Sequence, residues 1–275
     1  CHQKGIITAF KEAGYQTAFF SNQRYNHSFI DFFGKEADTF DFIKEDSLDS
    51  AYNPSDDELL ALVAKELSKG NQKQFIVLHT YGSHFNYRER YPSEDAFFLP
   101  DYPVEAEVKY RDNLVNAYDN TIRYTDGFLS RLIHMLEEQH VDAAMLYTSD
   151  HGEDIFDDSR HLFLHASPVP SYYQLHVPFL IWMSDTYREA YPEHWQTVTG
   201  NKDKDVSSSC SFFPTMLELG GVQTSYRNDS SSVVSPLYTM KPRVYLNDHN
   251  EPRPLNDLGM KQPDFQKCQV LGIKY

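Results

Sequence analysis

The chain has 275 residues, of which 40% are hydrophobic. Its three cysteines, Cys1, Cys210 and Cys268, lie far apart in sequence and form neither a disulfide framework nor a metal cluster, although one bridge could form in an oxidising compartment. The formal net charge of -15 and the pI near 5.1 exclude nucleic acid as a partner, because its binding relies on Lys and Arg that neutralise phosphates. No apolar run in the sequence reaches the roughly 18 residues of a membrane-spanning helix.

The first half of the chain alternates helix patterns with strand patterns. In chain order, the predicted elements are a helix over 6–13 that Gly14 ends, a strand over 16–20, a helix from the capping residues Ser55 and Asp56 to about Ser68, a buried strand over 74–79 and a surface loop over 86–103. Helix-to-strand steps of this kind are typical of an α/β protein.

The second half continues the alternation. Its predicted elements are a long helix over 105–139, a strand over 142–149, an irregular segment over 165–174, a buried strand over 177–183, a helix over 207–219 and a late strand over 243–246. The whole pattern predicts a mostly parallel sheet that helices cover on both faces. Without repeats or a clear linker, the chain is predicted to form a single domain over 1–275.

The most informative motif is Thr148-Ser149-Asp150-His151-Gly152-Glu153, which directly follows an apolar strand. Ligands of open α/β sheets bind beyond the carboxyl ends of the strands, which is where Asp150 and His151 emerge. A carboxylate oxygen beside an imidazole nitrogen suits a divalent cation such as zinc. Gly152 permits a tight turn and the close approach of a ligand. The competing interpretation is that Asp150 caps a following helix and His151 packs beneath it.

Two further segments supply histidines at strand ends or in loops. His79 and His84 follow the strand over 74–79, and His161 and His165 lie in the segment RHLFLHASP. Histidine is the commonest metal ligand, and its cation is a good partner for phosphate. From topology alone, we expect these segments to converge with Asp150 and His151 on one pocket. A nucleophile is not evident, since Ser83 and Thr148 have no base at a defined spacing.

Five ordered segments resemble the bacterial phosphoethanolamine transferases of the alkaline phosphatase and sulfatase superfamily. They are GYQTAFFSNQ at 14–23, HTYGSH at 79–84 with YRERYP at 87–92, NAYDNT at 116–121, SDHGE at 149–153 and LHASP at 164–168, where the family usually has Gly in place of Ala166. The resemblance extends from about Gly5 to about Gly221. It implies a three-layer α/β/α sandwich with a mostly parallel central sheet, of the alkaline phosphatase and sulfatase type.

The resemblance also implies roles for individual residues. Asp150 and His151 match the family's zinc ligands, with Mn²⁺ or Mg²⁺ as alternatives for the ion. His84 and His165 match the histidines that hold the phosphoethanolamine group or the leaving group, and Asn22 is expected to bind substrate. The family's Thr nucleophile and a further Glu ligand precede the segment over 14–23, outside this chain. We therefore expect the chain to be an N-terminally truncated catalytic domain that is inactive alone.

The implied activity is a metal-dependent transfer of phosphoethanolamine from phosphatidylethanolamine, through a phospho-Thr intermediate, to a lipid A-type or other envelope glycan acceptor. The expected location is the periplasmic face of the bacterial inner membrane, to which N-terminal helices missing from this chain anchor the full-length protein. Three alternatives remain at this stage: a phosphoglycerol transferase, a sulfatase, and a non-catalytic periplasmic binding domain of the same fold. The sequence upstream of Cys1 distinguishes them.

Overall fold

The computed structural model describes residues 5–23, 29–44, 53–70, 73–165, 169–246 and 251–273. The chain divides into two compact units, Cys1–Gln139 and His140–Tyr275. A single domain over 1–275 stays a prediction. Within the described ranges, no helix combines the length and the apolar run that crossing a membrane requires.

The first unit contains a three-stranded parallel sheet. Its elements are α1 (Ile6–Glu12), β1 (Gln16–Ser21), α2 (Phe29–Gly34), β2 (Thr39–Phe42), α3 (Glu58–Leu67), β3 (Gln74–His79) and α4 (Arg111–Glu138). β1 is the central strand, in the order β2-β1-β3, and every residue from 17 to 21 is buried. Burial on both faces of a strand means that both faces of the sheet are covered, so the α/β class is confirmed for this unit.

Register places the ends of the three strands of this sheet together. Ser21, the last residue of β1, pairs with Phe42 of β2 and with His79 of β3. Because all three strands run parallel, their carboxyl ends meet at one edge, as expected for an α/β sheet. The polar segments that follow β1 and β3 therefore lie beside each other.

The predicted helix cap at Ser55 and Asp56 is wrong. α3 begins at Glu58, after Asp57, and the side chain of this N-cap residue makes no capping hydrogen bond to the helix. The Asp56 carboxylate instead accepts hydrogen bonds from the backbone amides of Tyr81 and Gly82. A carboxylate just before a helix has the same local signature in both cases, because only the tertiary fold shows which amides it reaches.

The predicted surface loop over 86–103 is partly packed against α4. The Asn120 side chain accepts hydrogen bonds from the amides of Phe97 and Phe98, both at 2.9 Å, and donates to the Phe98 carbonyl at 3.0 Å and the Tyr91 hydroxyl at 3.2 Å. Asn120 is buried, as is Tyr87 at the start of the loop. The predicted long helix over 105–139 is confirmed but starts later, at Arg111.

The second unit contains three pairs of antiparallel strands within the described residues. Its elements are β4 (Ala144–Thr148), β5 (Asp154–Ile155), β6 (Phe163–Leu164), α5 (Tyr172–Leu175), β7 (Phe179–Met183), α6 (Asp185–Ala190), α7 (Pro192–Asn201), α8 (Ser208–Leu219), β8 (Val244–Leu246), β9 (Pro252–Pro254) and α9 (Gln262–Val270). β4 pairs with β7, β5 with β6 and β8 with β9. The strands predicted over 142–149, 177–183 and 243–246 and the helix over 207–219 are confirmed.

A buried ion pair joins the last helix to the middle of this unit. Both terminal nitrogens of Arg160 donate to the Asp264 carboxylate, at 2.7 and 2.8 Å. The same carboxylate accepts from the amide of Tyr172 at 2.9 Å and from the amide of Lys261 at 3.0 Å. Burial of Asp264 favours its neutral form, but the hydrogen bonds from Arg160 and from the amides of Tyr172 and Lys261 together outweigh that effect and lower the pKa of Asp264. The start of α5 is thereby fixed on α9.

Candidate functional site

The loop that follows β4 carries Asp150 and His151 and is ordered by its own hydrogen bonds. The Ser149 hydroxyl donates to the His151 carbonyl at 2.7 Å, and the His151 amide donates to Asp150 Oδ1 at 3.0 Å. The next element is the strand β5, which begins at Asp154. The alternative interpretation, in which Asp150 caps a following helix, is therefore wrong.

Gly152 lies against the backbone of another segment. A Cβ atom at this position would be 2.1 Å from the carbonyl oxygen of Tyr173, and the Gly152 amide donates to the Gln174 carbonyl at 2.8 Å. The close approach that Gly permits here is made by residues of α5. This contact fixes the distance between the Asp150–His151 loop and α5.

The His151 ring has a defined tautomer. Its Nδ1 is 2.9 Å from the carbonyl oxygen of Gly152, and a carbonyl oxygen can only accept, so Nδ1 carries a proton. In the neutral ring the lone pair is then on Nε2, which lies 3.7 Å from Asp150 Oδ2. Zinc–ligand bonds of about 2.0–2.1 Å in tetrahedral geometry separate two ligand atoms by about 3.3 Å. The pair is therefore compatible with one shared ion.

Exposure of the pair is also compatible with an ion. The Asp150 side chain is 85% exposed and the His151 side chain 33% exposed. The hard carboxylate oxygen of Asp150 and the borderline imidazole nitrogen of His151 are therefore both accessible to an ion in the observed conformation of the loop. The assignment of Asp150 and His151 as metal ligands stays a prediction that this geometry allows.

A second acidic group, Glu153, contacts two histidines of this unit, His151 and His165. Its Oε1 is 2.7 Å from Nδ1 of His165 and 3.9 Å from Nδ1 of His151, and its side chain is only 4% exposed. The centroids of the two imidazole rings are 3.8 Å apart. Ligand atoms of the three residues lie within 4.8 Å of one another, which makes them a possible His/Glu metal site.

The hairpin of β5 and β6 brings Glu153 and His165 together. Asp154 pairs with Leu164 in the antiparallel register, so the residues flanking that pair, Glu153 and His165, lie opposite each other. Below them, the Asp154 carboxylate accepts from the Ser171 hydroxyl at 2.8 Å and from the Gln174 amide group at 2.6 Å. Burial raises the pKa of Asp154.

In the first unit, Asn22 and His84 both belong to one hydrogen-bonded system. Asn22 is fully buried, and its side-chain amide donates to Asp56 Oδ1 at 2.5 Å. His84 lies in the turn after β3, and its Nδ1 donates to the Phe85 carbonyl at 2.5 Å. Burial raises the pKa of Asp56, although amides from the turn stabilise its charged form.

An arginine contacts the other side of the turn that carries His84. The Arg90 guanidinium stacks on the Tyr81 ring at 3.9 Å from the centroid. It donates from Nε to the His84 carbonyl at 3.0 Å and from Nη1 to Asn53 Oδ1 at 3.2 Å. The backbone on both sides of His84 is therefore held by charged side chains.

Three of the five predicted site residues, Asp150, His151 and His165, lie together in the second unit. His84 and Asn22 lie in the first unit, where both are tied to neighbouring loops. Convergence of all five on one pocket stays a prediction, as does the role of Asn22 in substrate binding.

Sequence reasoning gave no role to Glu153 or Arg90 and the wrong role to Asp56. Glu153 could have been noticed because it directly follows the Asp-His pair. Arg90 lies in a charged run whose pattern is that of any exposed loop, and its contact with the His84 carbonyl depends on the fold.

A family model described as Sulfatase matches residues 2–222 of the chain. Phosphoethanolamine transferase EptA of Salmonella typhimurium is 34% identical over 168 residues, which are 58% of this chain and 30% of the relative. The chain thus spans less than a third of that relative's length.

Two solved structures share the fold. The C-terminal periplasmic domain of EcEptC from Escherichia coli, in complex with Zn, superposes with a TM-score of 0.81 at 22% identity, covering 94% of this chain and 73% of the other. The integral membrane protein lipooligosaccharide phosphoethanolamine transferase A (EptA) from Neisseria meningitidis superposes with a TM-score of 0.74 at 26% identity, covering 84% of this chain and 44% of the other.

Proposed function

Because the chain belongs to the sulfatase family, we propose that it is part of a metal-dependent phosphoethanolamine transferase of the bacterial envelope. The observation that carries the proposal is the Asp150–His151 pair, whose Oδ2 and Nε2 lie 3.7 Å apart beside a second histidine, His165. These residues lie in the SDHGE and LHASP segments, which resemble motifs of such transferases apart from Ala166, where the family usually has Gly. The 34% identity to the Salmonella EptA supports the same activity class.

Zinc is the ion that we assign to Asp150 and His151. Mixed nitrogen and oxygen ligands suit zinc, whereas Mg²⁺ prefers oxygen ligands in near-octahedral geometry. The Escherichia coli EptC domain was solved in complex with Zn, which agrees with this choice. When bound, zinc lowers the pKa of a hydroxyl nucleophile and polarises phosphoryl oxygens.

His165 and His84 act on the transferring group. The Glu153 carboxylate accepts from Nδ1 of His165 at 2.7 Å, which fixes the orientation of the ring. His165 stabilises the charge that develops on the phosphoryl oxygens or protonates the leaving oxygen. His84, whose Nδ1 donates to the Phe85 carbonyl, has the same role. Transfer proceeds through a phospho-Thr whose hydroxyl this chain's motifs do not identify.

The donor that we propose is phosphatidylethanolamine, and the acceptor is a lipid A-type glycan. The Neisseria relative is named for lipooligosaccharide, which supports an acceptor of that class. The Escherichia coli EptC structure is a C-terminal periplasmic domain and the Neisseria relative is an integral membrane protein, and both support a periplasmic location at the inner membrane for the full-length protein. The names of the Neisseria and Salmonella relatives both specify phosphoethanolamine, which favours this group over glycerophosphate or sulfate.

The experiment compares lipid A from bacteria that lack other phosphoethanolamine transferases and express the full-length protein. Mass spectrometry should detect lipid A carrying one added phosphoethanolamine with the wild type and none with Asp150→Ala. Asp185→Ala is the matched control, since the Asp185 side chain is 86% exposed and forms an ion pair with Arg188. Full turnover in Asp150→Ala would exclude the ligand role.

The same preparation separates the alternatives. Transfer of glycerophosphate from phosphatidylglycerol identifies a phosphoglycerol transferase, and release of sulfate from an aryl sulfate ester identifies a sulfatase. A zinc-loaded wild type that turns over none of these substrates is a binding domain. Each of these three outcomes contradicts the proposed transfer.

A further inference from the structure

A buried carboxylate holds the turn that carries His84. Asp56 is 6% exposed, and its Oδ1 and Oδ2 accept hydrogen bonds from the amides of Tyr81 and Gly82, at 2.8 and 3.0 Å. The Asn22 side chain donates a third hydrogen bond to the same carboxylate. One side chain just before α3 therefore connects the segments that follow β1 and β3.

The guanidinium of Arg90 holds the same turn from the opposite end. It stacks on the Tyr81 ring, 3.9 Å from the centroid, and its Nε donates to the His84 carbonyl at 3.0 Å. The Arg90 side chain is 7% exposed, so both contacts are shielded from water. Asp56 and Arg90 also attract each other electrostatically.

Contacts from Asp56 and Arg90 restrict the conformation of this turn more than its own residues do. Gly82 has a φ of +55°, a conformation that glycine adopts without strain. A glycine in a surface turn retains many alternative conformations unless other groups select one. Charge-assisted hydrogen bonds to the turn's amides on one side and its last carbonyl on the other select the observed one.

We propose that Asp56 and Arg90 are positioning residues that hold His84 in place for phosphoryl transfer. The inference rests on the proposed role of His84 in that reaction. Neither residue touches the reacting atoms in this scheme, and both act through the backbone from Tyr81 to His84. An error of about 1 Å in the position of a catalytic group costs roughly 100-fold in rate, so loss of either contact is expected to lower kcat.

A purely structural role makes a different prediction. If Asp56 only stabilised the first unit, Asp56→Asn would lower the transfer rate by the same factor whether His84 is present or absent. If Asp56 acts through His84, the substitution has no further effect once the imidazole is removed. A double-mutant cycle distinguishes the two roles.

The test uses the full-length protein with phosphatidylethanolamine as donor. Asp56→Asn and Arg90→Lys are each expected to lower kcat by roughly 10- to 100-fold, with little change in KM for the donor. Arg90→Lys keeps the charge but removes the planar stacking group and the Nε donor. Asp56→Asn combined with His84→Ala is expected to match His84→Ala alone, and an equal further loss in the double variant would overturn the proposal.

Asp57→Asn is the matched control. The neighbouring Asp57 carboxylate contacts the Tyr124 hydroxyl at 3.0 Å and Arg131 at 2.5 Å, both on α4. Its replacement is therefore expected to leave kcat unchanged. Hydrogen exchange provides the second measurement if the His84→Ala rate is too low to compare, and Arg90→Lys alone carries the test if Asp56→Asn does not fold. The amides of Tyr81 and Gly82 should exchange at least about tenfold faster in Asp56→Asn, the His84 segment should exchange faster in Arg90→Lys, and neither should change in Asp57→Asn.

The two levels of inference fail separately. A wild-type protein that transfers no phosphoethanolamine refutes the proposed function, whatever the exchange data show. An active wild type whose Asp56→Asn and Arg90→Lys variants keep the full kcat, or show unchanged exchange in the turn, refutes the positioning role alone.

Discussion

Replacement of Gly152 by Ala is the sharpest perturbation of the candidate site. The new Cβ would lie 2.1 Å from the Tyr173 carbonyl oxygen, a distance that real Cβ atoms do not show. The two segments must separate by about 1.3 Å to reach ordinary van der Waals contact. The obstacle is a backbone oxygen, so no side chain can rotate away to relieve the clash.

The segment on the far side of this contact resists displacement. The amide of Tyr172 donates to the buried Asp264, and the Ser171 hydroxyl both accepts from the Gln174 amide and donates to Asp154. Asp150 and His151 are held by hydrogen bonds within the loop, and the bond from the Gly152 amide to the Gln174 carbonyl lies at the clash itself. We therefore expect the loop to move, and the metal pair with it.

The expected magnitude follows from these contacts. Overpacking of this kind costs about 1–3 kcal/mol of unfolding free energy, which corresponds to a decrease in Tm of about 3–9 °C for a chain of this size. Displacement of Asp150 and His151 by about 1 Å is expected to lower the transfer rate roughly 100-fold. Zinc content should fall as well, because the displaced Asp150 and His151 no longer meet the other ligands of the ion.

The assay follows thermal unfolding by circular dichroism and zinc content by elemental mass spectrometry, both on the full-length protein. Gly200→Ala is the matched control, since a Cβ at Gly200 in α7 meets no atom within 4 Å. Alanine at a helical position is expected to be neutral or to stabilise by up to about 1 kcal/mol. Wild-type Tm, zinc content and rate in Gly152→Ala would refute the steric account of this loop.

Three further outcomes are expected. Asp264→Ala should cost about 1–3 kcal/mol, because the amides of Tyr172 and Lys261 lose their acceptor while Arg160 keeps its ion pair with Asp158. The folded-state pKa of Asp264 is lowered from 3.8, so its contribution to stability is present above about pH 4 and lost as the pH falls further. Denaturant titrations from about pH 6 to 3 should lose this pH dependence in the variant. Asn120→Ala should speed proteolysis of the loop over 96–103, because the backbone groups of Phe97 and Phe98 lose the side chain that holds them; unchanged cleavage would contradict that support. Glu153→Ala should lower the transfer rate roughly tenfold or more and Glu153→Gln less, because Gln can still accept from His165; equal losses would contradict the orienting role.

Local patterns in the sequence predicted the elements that bury an apolar run. The strands Gln74–His79 and Phe179–Met183 are continuous apolar segments between polar ones. Such a run indicates a buried strand without any alternation of apolar and polar residues. β2 was missed because its four residues alternate too briefly to be distinguished from a turn. The sequence pattern also could not predict that β7 runs antiparallel to β4, since a buried strand has the same composition in either direction.

The support of the site depended on contacts distant in sequence. Asp56 lies 25 residues from Tyr81, and nothing near it in sequence indicates that its carboxylate accepts from that amide. Glu153 and His165 meet because the chain folds back in a hairpin whose two strands have two residues each. Phe156, His161 and Leu164 of this hairpin have positive φ. Non-glycine residues adopt that conformation rarely, so residue type gave no warning of the hairpin. The Asp150–His151 pair was predictable because both residues lie on one strand end.

The position of zinc in a crystal of the full-length protein tests the central claim most directly. Anomalous scattering at the zinc edge should place the ion about 2.0–2.2 Å from an Asp150 carboxylate oxygen and from Nε2 of His151. A zinc peak bound instead by Glu153 and His165, or no peak near Asp150 in a zinc-loaded, active protein, would contradict the account.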